Sequence, residues 1–154
     1  MNLDTRLICG EDDLQTLVDQ INAAQWDDAN DLENYSVDAL KAYLNKQDTV
    51  LVVCHIETDE GKFLAGMASG RIEQKPYEFE KWLYIDEVDT CKNYRQLGVG
   101  TSIMKQLMDI ADEHDCKEAW LGTEKTNTVA RRFYESLEPD DVEDVIGFTF
   151  ELDD

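Results

Sequence analysis

The sequence is short of positive charge. It has 14 lysine and arginine residues against 35 aspartate and glutamate residues, which gives a formal net charge of −21. A surface of this sign repels phosphate groups, so neither nucleic acid nor an anionic membrane is an expected partner. The same field attracts cationic ligands, although acids spread over the surface for solubility or high salt would give the same balance. The charge therefore favours a cationic partner without identifying it.

Long apolar runs and closely spaced cysteines are also absent. No stretch approaches the roughly 18 apolar residues of a transmembrane helix, and the start M-N-L-D-T-R lacks the apolar core of a signal peptide. Cys9, Cys54, Cys91 and Cys116 are scattered without a C-x-x-C pair, which argues against a disulfide or zinc framework. We expect reduced thiols, no metal and a cytoplasmic protein.

The composition that remains is that of a globular protein. Apolar residues make up 42% of the 154 residues, with three Trp, six Tyr and five Phe. A chain of this length buries a core without disulfides. Because no linker or internal repeat interrupts it, we expect one domain over residues 1–154.

Apolar periodicity predicts the element order β-α-α-β-β-β-α-β-α-β. The expected strands are 5–9, 49–57, 62–74, a run from Trp82, 118–123 and 145–152, and the expected helices are 11–24, one capped by Ser36, 101–114 and 127–137. Gly66 and Gly70 inside a strand indicate bends or close backbone contacts. Helices that follow successive strands imply crossovers over a mixed sheet.

The stretch 82–102, W-L-Y-I-D-E-V-D-T-C-K-N-Y-R-Q-L-G-V-G-T-S, carries the clearest functional pattern. An apolar strand ends in acids, and a glycine turn then opens into a helix. The unpaired N–H groups and dipole of a first helical turn bind anions, and glycines let a ligand approach the backbone. We expect residues 95–100 to hold a pyrophosphate and the preceding acids to do chemistry. A plain strand-to-helix turn with glycines for packing is the alternative.

At R-Q-L-G-V-G the chain resembles the GNAT superfamily of acetyl-CoA-dependent N-acetyltransferases. The family motif is Arg or Gln, two residues, Gly, one residue, then Gly or Ala, and Arg95, Gly98 and Gly100 match it. The segment N-T-V-A-R-R-F-Y-E-S-L at 127–137 is similar to the family's helix with a tyrosine, and the order of elements fits the whole chain. The resemblance implies an α/β fold with a mixed, mostly antiparallel twisted sheet flanked by about four helices.

A narrower likeness is to the GNAT-type aminoglycoside 3-N-acetyltransferases, carried by L-Y-I-D-E-V and by D-V-E-D-V-I-G-F-T-F-E-L near the C-terminus. It implies acetyl transfer to a primary amine of a cationic small molecule, first an aminoglycoside at its 3-amino group. A polyamine or protein amine, or a non-catalytic acetyl-CoA-binding module, are the alternatives. The family's usual Gly-Phe is replaced here by Glu138-Pro139-Asp140, a departure that bears on the last strands. A homodimer is also implied as possible.

The resemblance implies where acetyl-CoA would bind. Backbone groups of the strand end would face its pantetheine arm, the glycine loop would hold its pyrophosphate, and a helix cap would add a contact. The implied cofactor-binding residues are Val88, Thr90, Arg95, Gln96, Leu97, Gly98, Val99, Gly100, Thr101 and Asn127. For Asn127, a capping role alone would also explain the residue.

Glu87 is the predicted general base. An amine reaches an enzyme mostly protonated, and a carboxylate at a strand end takes the proton directly or through water. Simple alternation places Glu87 with Ile85 on one face, and Asp86 with Tyr84 on the other. A bulge, which the resemblance implies, would break that parity. Asp86 therefore remains the second candidate.

Tyr134 is implied as the general acid for the departing coenzyme A thiolate, and an ordinary core aromatic is its alternative. Cys91 suggests a covalent acetyl-cysteine route. It has no histidine partner evident in the sequence, because His55 and His114 lie on other elements. We therefore expect direct transfer within a ternary complex.

Acids outside the central stretch are the predicted substrate-binding groups. Together they would form a negative cleft for a polyamine or aminosugar, although each alone also fits a solvated surface. The predicted set is Asp86, Glu87, Glu124, Asp140, Asp141, Glu143 and Asp144, with Asp27, Asp28, Asp31 and Glu33 of the early loop as further acids.

Overall fold

The computed structural model of the chain describes residues 1–27 and 32–153. The chain forms two compact units, Met1–Leu121 and Gly122–Asp154. In the described residues, the first contains a sheet, three α-helices and a short 3-10 helix (Lys92–Tyr94), and the second contains one α-helix. Asp28 and Asp31 of the predicted acidic loop lie outside the described residues.

The first unit is built on a five-stranded sheet in the order β1-β2-β3-β4-β5. Neighbouring strands run antiparallel except for β4 and β5, which are parallel. This confirms the predicted mixed, mostly antiparallel sheet. The strands are β1 (Asn2–Leu7), β2 (Thr49–Thr58), β3 (Gly61–Gln74), β4 (Lys81–Thr90) and β5 (Glu118–Leu121).

The four predicted helices form. Asp13 and Ser36 cap the first two, accepting hydrogen bonds from Thr16 N–H at 3.1 Å and Ala39 N–H at 3.2 Å. Within the described part of the chain, no helix has the length and hydrophobicity to cross a bilayer. The helices are α1 (Leu14–Ala23), α2 (Val37–Asn45), α3 (Val99–Glu113) and, in the second unit, α4 (Thr128–Ser136).

Helices cover the two faces of the sheet in the first unit. The apolar stripe of α1 and Leu40 of α2 pack with Leu51, Val53 and Met67 in one buried cluster. On the opposite face, α3 lies against β3, since a Cβ on Gly66 would come within 2.7 Å of Val99. Burial of these apolar side chains on both faces stabilises the three-layer arrangement.

A bulge shifts the register between β3 and β4. Ser69 pairs with Glu87 while its neighbour Gly70 pairs with Ile85, so Asp86 is the extra residue. Residues directly opposite each other share a face of the sheet. Glu87 therefore lies on the opposite face from Ile85, as the bulge implied by the resemblance predicts and simple alternation does not.

The second unit departs from the sequence prediction at its end. The predicted strand 145–152 is wrong, because residues 141–153 belong to no helix or strand. Alternation of apolar and polar residues determines which side chains would share a face. It does not supply the neighbouring backbone whose hydrogen bonds make a strand stable.

Gly70 is required by close backbone contact at the bulge, and this is testable. A Cβ there would lie 2.5 Å from the Tyr84 carbonyl oxygen and 3.3 Å from Ile85 Cα. We expect Gly70→Ala to lower the free energy of unfolding by about 1–3 kcal/mol in urea titrations, since backbone must move. Gly10→Ala is the control, because its Cβ would meet only Asn45 Oδ1 at 3.8 Å. Equal stability of the two variants would contradict the close contact.

Candidate active site

Beyond Ile85, no strand of the described residues pairs with the edge of β4 that faces away from β3. β4 pairs with β5 only from Trp82 to Ile85. Farther along, Cys91 N–H donates to Ala65 O of β3, whereas Thr90 C=O accepts from Asp27 N–H on the other side. Because backbone groups alternate in direction, Val88 also directs its N–H and C=O away from β3. Val88 thus lies where no strand of the described residues pairs with this edge of β4, and its contact with pantetheine remains a prediction.

The turn before α3 has the backbone geometry of an anion cradle. Gln96 and Gly98 have positive φ values of 60° and 87°, and no side chain caps the helix that begins at Val99. Residues 95–98 are exposed. Left-handed residues before uncapped N–H groups form the concave nest that binds phosphate oxygens. The local structure therefore fits a pyrophosphate, held chiefly by the backbone.

The Arg95 side chain takes a different role in this structure. Its Nη2 lies 2.6 Å from Oδ1 of Asp27. Lys92 N–H also donates to Gln25 O at 2.8 Å. Through these contacts, the turn before α3 is tied to the chain that follows α1. The guanidinium thus links the turn before α3 to Asp27, and main-chain groups form the turn's anion-binding geometry.

Asp86 and Glu87 have different surroundings. Asp86 forms an ion pair with Arg71, which also pairs with Glu73 at 2.7 Å. Glu87 is exposed, and no hydrogen bond or ion pair holds its carboxylate among residues 1–27 and 32–153. An unpaired carboxylate can accept a proton or hold an ammonium group, whereas the Asp86 carboxylate already holds the Arg71 guanidinium through Oδ1.

Asp89 is a site residue that sequence reasoning missed. It is only 4% exposed, and its Oδ2 has no hydrogen-bond partner in the described part of the chain. Burial, and secondarily the charge of Glu87, raises the pKa of Asp89 to about 7. The spacing E-V-D places the two acids at alternate positions of one strand, and this was the available signal. Its significance depends on burial, which the spacing does not show.

Tyr35, in the connection between α1 and α2, packs against the buried cluster and lies within electrostatic range of the same two acids. Burial, followed by the charges of Glu87 and Asp89, raises the pKa of Tyr35 to about 12. Asn22 fixes the Tyr35 backbone by accepting from its N–H at 2.8 Å and donating to its C=O at 2.9 Å. The phenol therefore remains protonated at neutral pH beside the carboxylates.

Aromatic rings lie on the same face as Glu87. Trp82 and Tyr84 stack with centroids 5.9 Å apart, and the rings of Tyr84 and Trp120 lie 6.4 Å apart. Lys75 Nζ sits 4.1 Å from the Trp82 ring centroid, and Arg71 lies over Tyr84 at 5.1 Å. These rings already hold protein cations, which shows that this face accommodates positive charge.

The remaining titratable groups do not form a nucleophile or a metal centre. Cys91 donates to Leu64 O at 3.4 Å, and burial, with the charge of Asp89, raises the pKa of its thiol to about 11. A thiol that stays protonated is a poor nucleophile. His55 is bound to Gln20 at 3.0 Å. Among the described residues, no three His, Cys, Asp or Glu side chains are grouped to hold a metal ion.

The other predicted site residues belong to the second unit. Asn127 caps α4 by accepting from Ala130 N–H at 3.1 Å, which confirms the predicted cap. The ring of Tyr134 lies beside that of Phe133, with centroids 5.1 Å apart. The acids of this unit are exposed, and their contribution to an acceptor site remains a prediction; they are Glu124, Asp140, Asp141, Glu143 and Asp144.

Comparison with known proteins adds a family and a fold. A model of the acetyltransferase (GNAT) family matches residues 17–138. Among solved structures, an aminoglycoside acetyltransferase from an uncultured soil metagenomic sample, in complex with trehalose, is similar with a TM-score of 0.82 and 19% identity, covering 98% of this chain and 97% of its own. Glucosamine-6-phosphate N-acetyltransferase from Arabidopsis thaliana has a TM-score of 0.74 and 18% identity, covering 98% and 100%. No curated protein sequence matches.

The burial of Asp89 contributes a decrease in the free energy of unfolding as the pH rises. The unfolded Asp89 loses its proton near pH 3.8 and the folded one near 7, so the folded state binds the extra proton between these values. We expect this effect to lower the wild-type free energy of unfolding by up to about 4 kcal/mol between pH 4 and 8, and Asp89→Asn to remove that decrease. Urea unfolding at both pH values measures it.

The control for this measurement is Asp109→Asn, which removes the same charge from the exposed side of α3. It should keep the wild-type pH dependence. A pH dependence unchanged by Asp89→Asn would mean that Asp89 ionises normally in the folded protein.

Proposed function

Because the chain belongs to the GNAT family of acetyltransferases, we propose that it transfers acetyl from acetyl-CoA to a primary amine of a cationic small molecule. An aminoglycoside, acetylated at the 3-amino group, is the first choice. The observation that carries this proposal is the exposed, unpaired carboxylate of Glu87 beside the open edge of β4. A polyamine or protein amine, and a non-catalytic acetyl-CoA-binding module, are the competing proposals.

Acetyl-CoA would be held by the main chain of the first unit. The uncapped start of α3, with Gly98 in the left-handed conformation, would bind the pyrophosphate. The backbone of Val88, and that of Thr90 once its bond to Asp27 yields, would face the pantetheine arm. When bound, acetyl-CoA supplies the thioester that donates the acetyl group. The residues predicted around this path are Arg95, Gln96, Leu97, Val99, Gly100, Thr101 and Asn127.

Glu87 is the proposed general base. Its carboxylate would hold the substrate ammonium, accept its proton and leave the nitrogen lone pair free to attack. The ion pair of Asp86 with Arg71 supports Glu87 over Asp86 for this role. Asp86 would instead contribute negative charge around the amine.

Tyr134 is proposed to protonate the coenzyme A thiolate as it leaves. Support comes from its position in the 127–137 segment, which matches the family pattern, and from the high pKa of Cys91. A protonated, buried thiol disfavours an acetyl-cysteine route and supports direct transfer.

A cationic acceptor is supported by charge and by the relatives. The net charge of −21 steers cations toward the protein, and the Trp82–Tyr84 rings hold cations on the face of Glu87. One similar structure, at 17% identity, is a soil metagenomic aminoglycoside acetyltransferase in complex with sisomicin. The acids at Glu124 and at 140–144 stay proposed as substrate-binding groups.

Three wider expectations belong to the same proposal. The family match over residues 17–138 spans both units and supports a single acetyltransferase domain. A cytoplasmic location is retained as a proposal, and the four free cysteines are compatible with it. A homodimer is retained from the family resemblance.

A thiol-release assay tests the acceptor class. Acetyl-CoA is supplied with aminoglycosides, spermidine and basic peptides, and we expect the aminoglycosides to give the highest kcat/KM. Mass spectrometry and NMR of the product then locate the acetyl group. Faster turnover of spermidine or peptides would replace the proposed acceptor, and coenzyme A binding with no acetylation would support the binding module.

The assignment of the base is tested by Glu87→Gln, which keeps the shape of the side chain and removes its proton acceptor. We expect kcat to fall by about 100-fold or more with little change in acetyl-CoA binding. Asp86→Asn tests the alternative base, and a larger loss there than in Glu87→Gln would reverse the assignment. Tyr134→Phe should lower kcat while leaving KM for acetyl-CoA nearly unchanged, and full activity would remove its proposed role.

A further inference from the structure

Glu87 and Asp89 form a pair of carboxyl groups on one face of β4. Past the bulge, Glu87 pairs with Ser69 and Asp89 with Met67, so both acids face the α1–α2 layer. Two residues of strand separate their backbones by about 7 Å, a distance that two carboxyl groups and one water molecule span. Glu87 is exposed and Asp89 is buried. The pair therefore leads from the surface into the protein.

No described group neutralises a charge on Asp89. Glu87 lies on the same face of β4, Met67 pairs with Asp89 from β3, and the protonated Cys91 follows β4 directly. Tyr35 of the α1–α2 connection lies within electrostatic range of Asp89. Its Oδ2 accepts no hydrogen bond from residues 1–27 or 32–153. A buried carboxyl without a partner costs free energy, and such groups are rare in folded proteins.

Two arginines of the site are already paired with other acids. Arg95 of the turn before α3 is paired with Asp27 at 2.6 Å, and Arg71 is paired with Asp86 and Glu73. Asp89 Oδ2 has no partner among residues 1–27 and 32–153, so no described cation pairs with it there. Its environment instead favours a group that alternates between charged and neutral forms.

We propose that Asp89 is the inner acceptor of a proton path that begins at Glu87. The inference rests on the proposed function. The N–H bond of the substrate ammonium breaks and its proton moves to Glu87, leaving the nitrogen lone pair free to attack the thioester. Glu87 then passes that proton through one water molecule to Asp89 Oδ2, and Glu87 is again a carboxylate. The proton returns to solvent by the same route once the product has left.

The proton affinity of the inner group suits this role. Burial and the charge of Glu87 raise the pKa of Asp89 to about 7. A base is most useful when its pKa lies near the working pH, because it then both accepts and releases protons readily. Glu87 would contact the substrate, whereas Asp89 acts through Glu87 and sets how readily that carboxylate is regenerated.

The kinetic test is the pH dependence of kcat/KM, measured with the best amine of the panel for wild type, Asp89→Asn and Asp109→Asn. We expect the wild-type and Asp109→Asn profiles to rise through an inflection near pH 7. Asp89→Asn should lose this inflection, and its kcat at pH 8 should fall by about 10-fold. An Asp89→Asn profile that retains both the inflection and the wild-type kcat would overturn the proposal.

A second readout needs no turnover. The Asp89 carboxyl is followed by carbon-13 NMR in the protein without substrate, in wild type and in Glu87→Gln. We expect a midpoint near pH 7 that moves lower in Glu87→Gln, because the charge of Glu87 raises it. A midpoint near pH 4, or one that Glu87→Gln does not move, would overturn the pairing.

The two readouts separate the two claims. If no amine in the panel is acetylated, the proposed acceptor chemistry fails, and the NMR titration alone decides whether Glu87 and Asp89 are coupled. If amines are acetylated but the Asp89→Asn profile matches wild type, the acetyltransferase assignment stands and the proton path fails.

Discussion

A single extra residue in β4 determines the arrangement of the candidate site. Asp86 has no partner on β3, and this bulge turns the following residues over relative to those before it. Glu87 and Asp89 consequently face the α1–α2 layer, whereas Leu83 and Ile85 face α3. Without the bulge, Glu87 would point into the apolar packing under α3. The bulge in turn depends on Gly70, where the two backbones approach too closely for a Cβ.

The bulge also lies where the sheet stops being continuous. β5 pairs with β4 only to Ile85, and no other strand of the described residues pairs with that edge of β4. The chain then turns through Gly98 into α3. The acid pair, this edge of β4 and the uncapped start of α3 thus follow one another along a single stretch of chain. The Arg95–Asp27 ion pair ties the chain that follows α1 to this stretch.

The burial of Asp89 lowers stability but suits a proton-accepting role. At neutral pH, the elevated pKa of Asp89 means that its ionisation opposes folding. A fold that only needed a filled core would place an apolar residue opposite Met67. Strained or costly groups of this kind concentrate at functional sites, because the surrounding structure compensates for them. The buried clusters on both sides of the sheet provide that compensation.

Local sequence patterns were enough to predict most helices and strands and the turn that opens into α3. Helical spacing, the Ser36 and Asn127 caps and the β-branched runs are local, so every predicted helix and all strands up to residue 121 formed. The glycine turn is also local, since its φ values need only a few residues. The face of Glu87, the burial of Asp89 and the pairing of Asp86 with Arg71 arise from tertiary contacts. Each of these depends on which residues a neighbouring strand or loop brings opposite. The wrong prediction of strand 145–152 has the same cause, because alternation predicts the faces of a strand but not a neighbouring strand to pair with it.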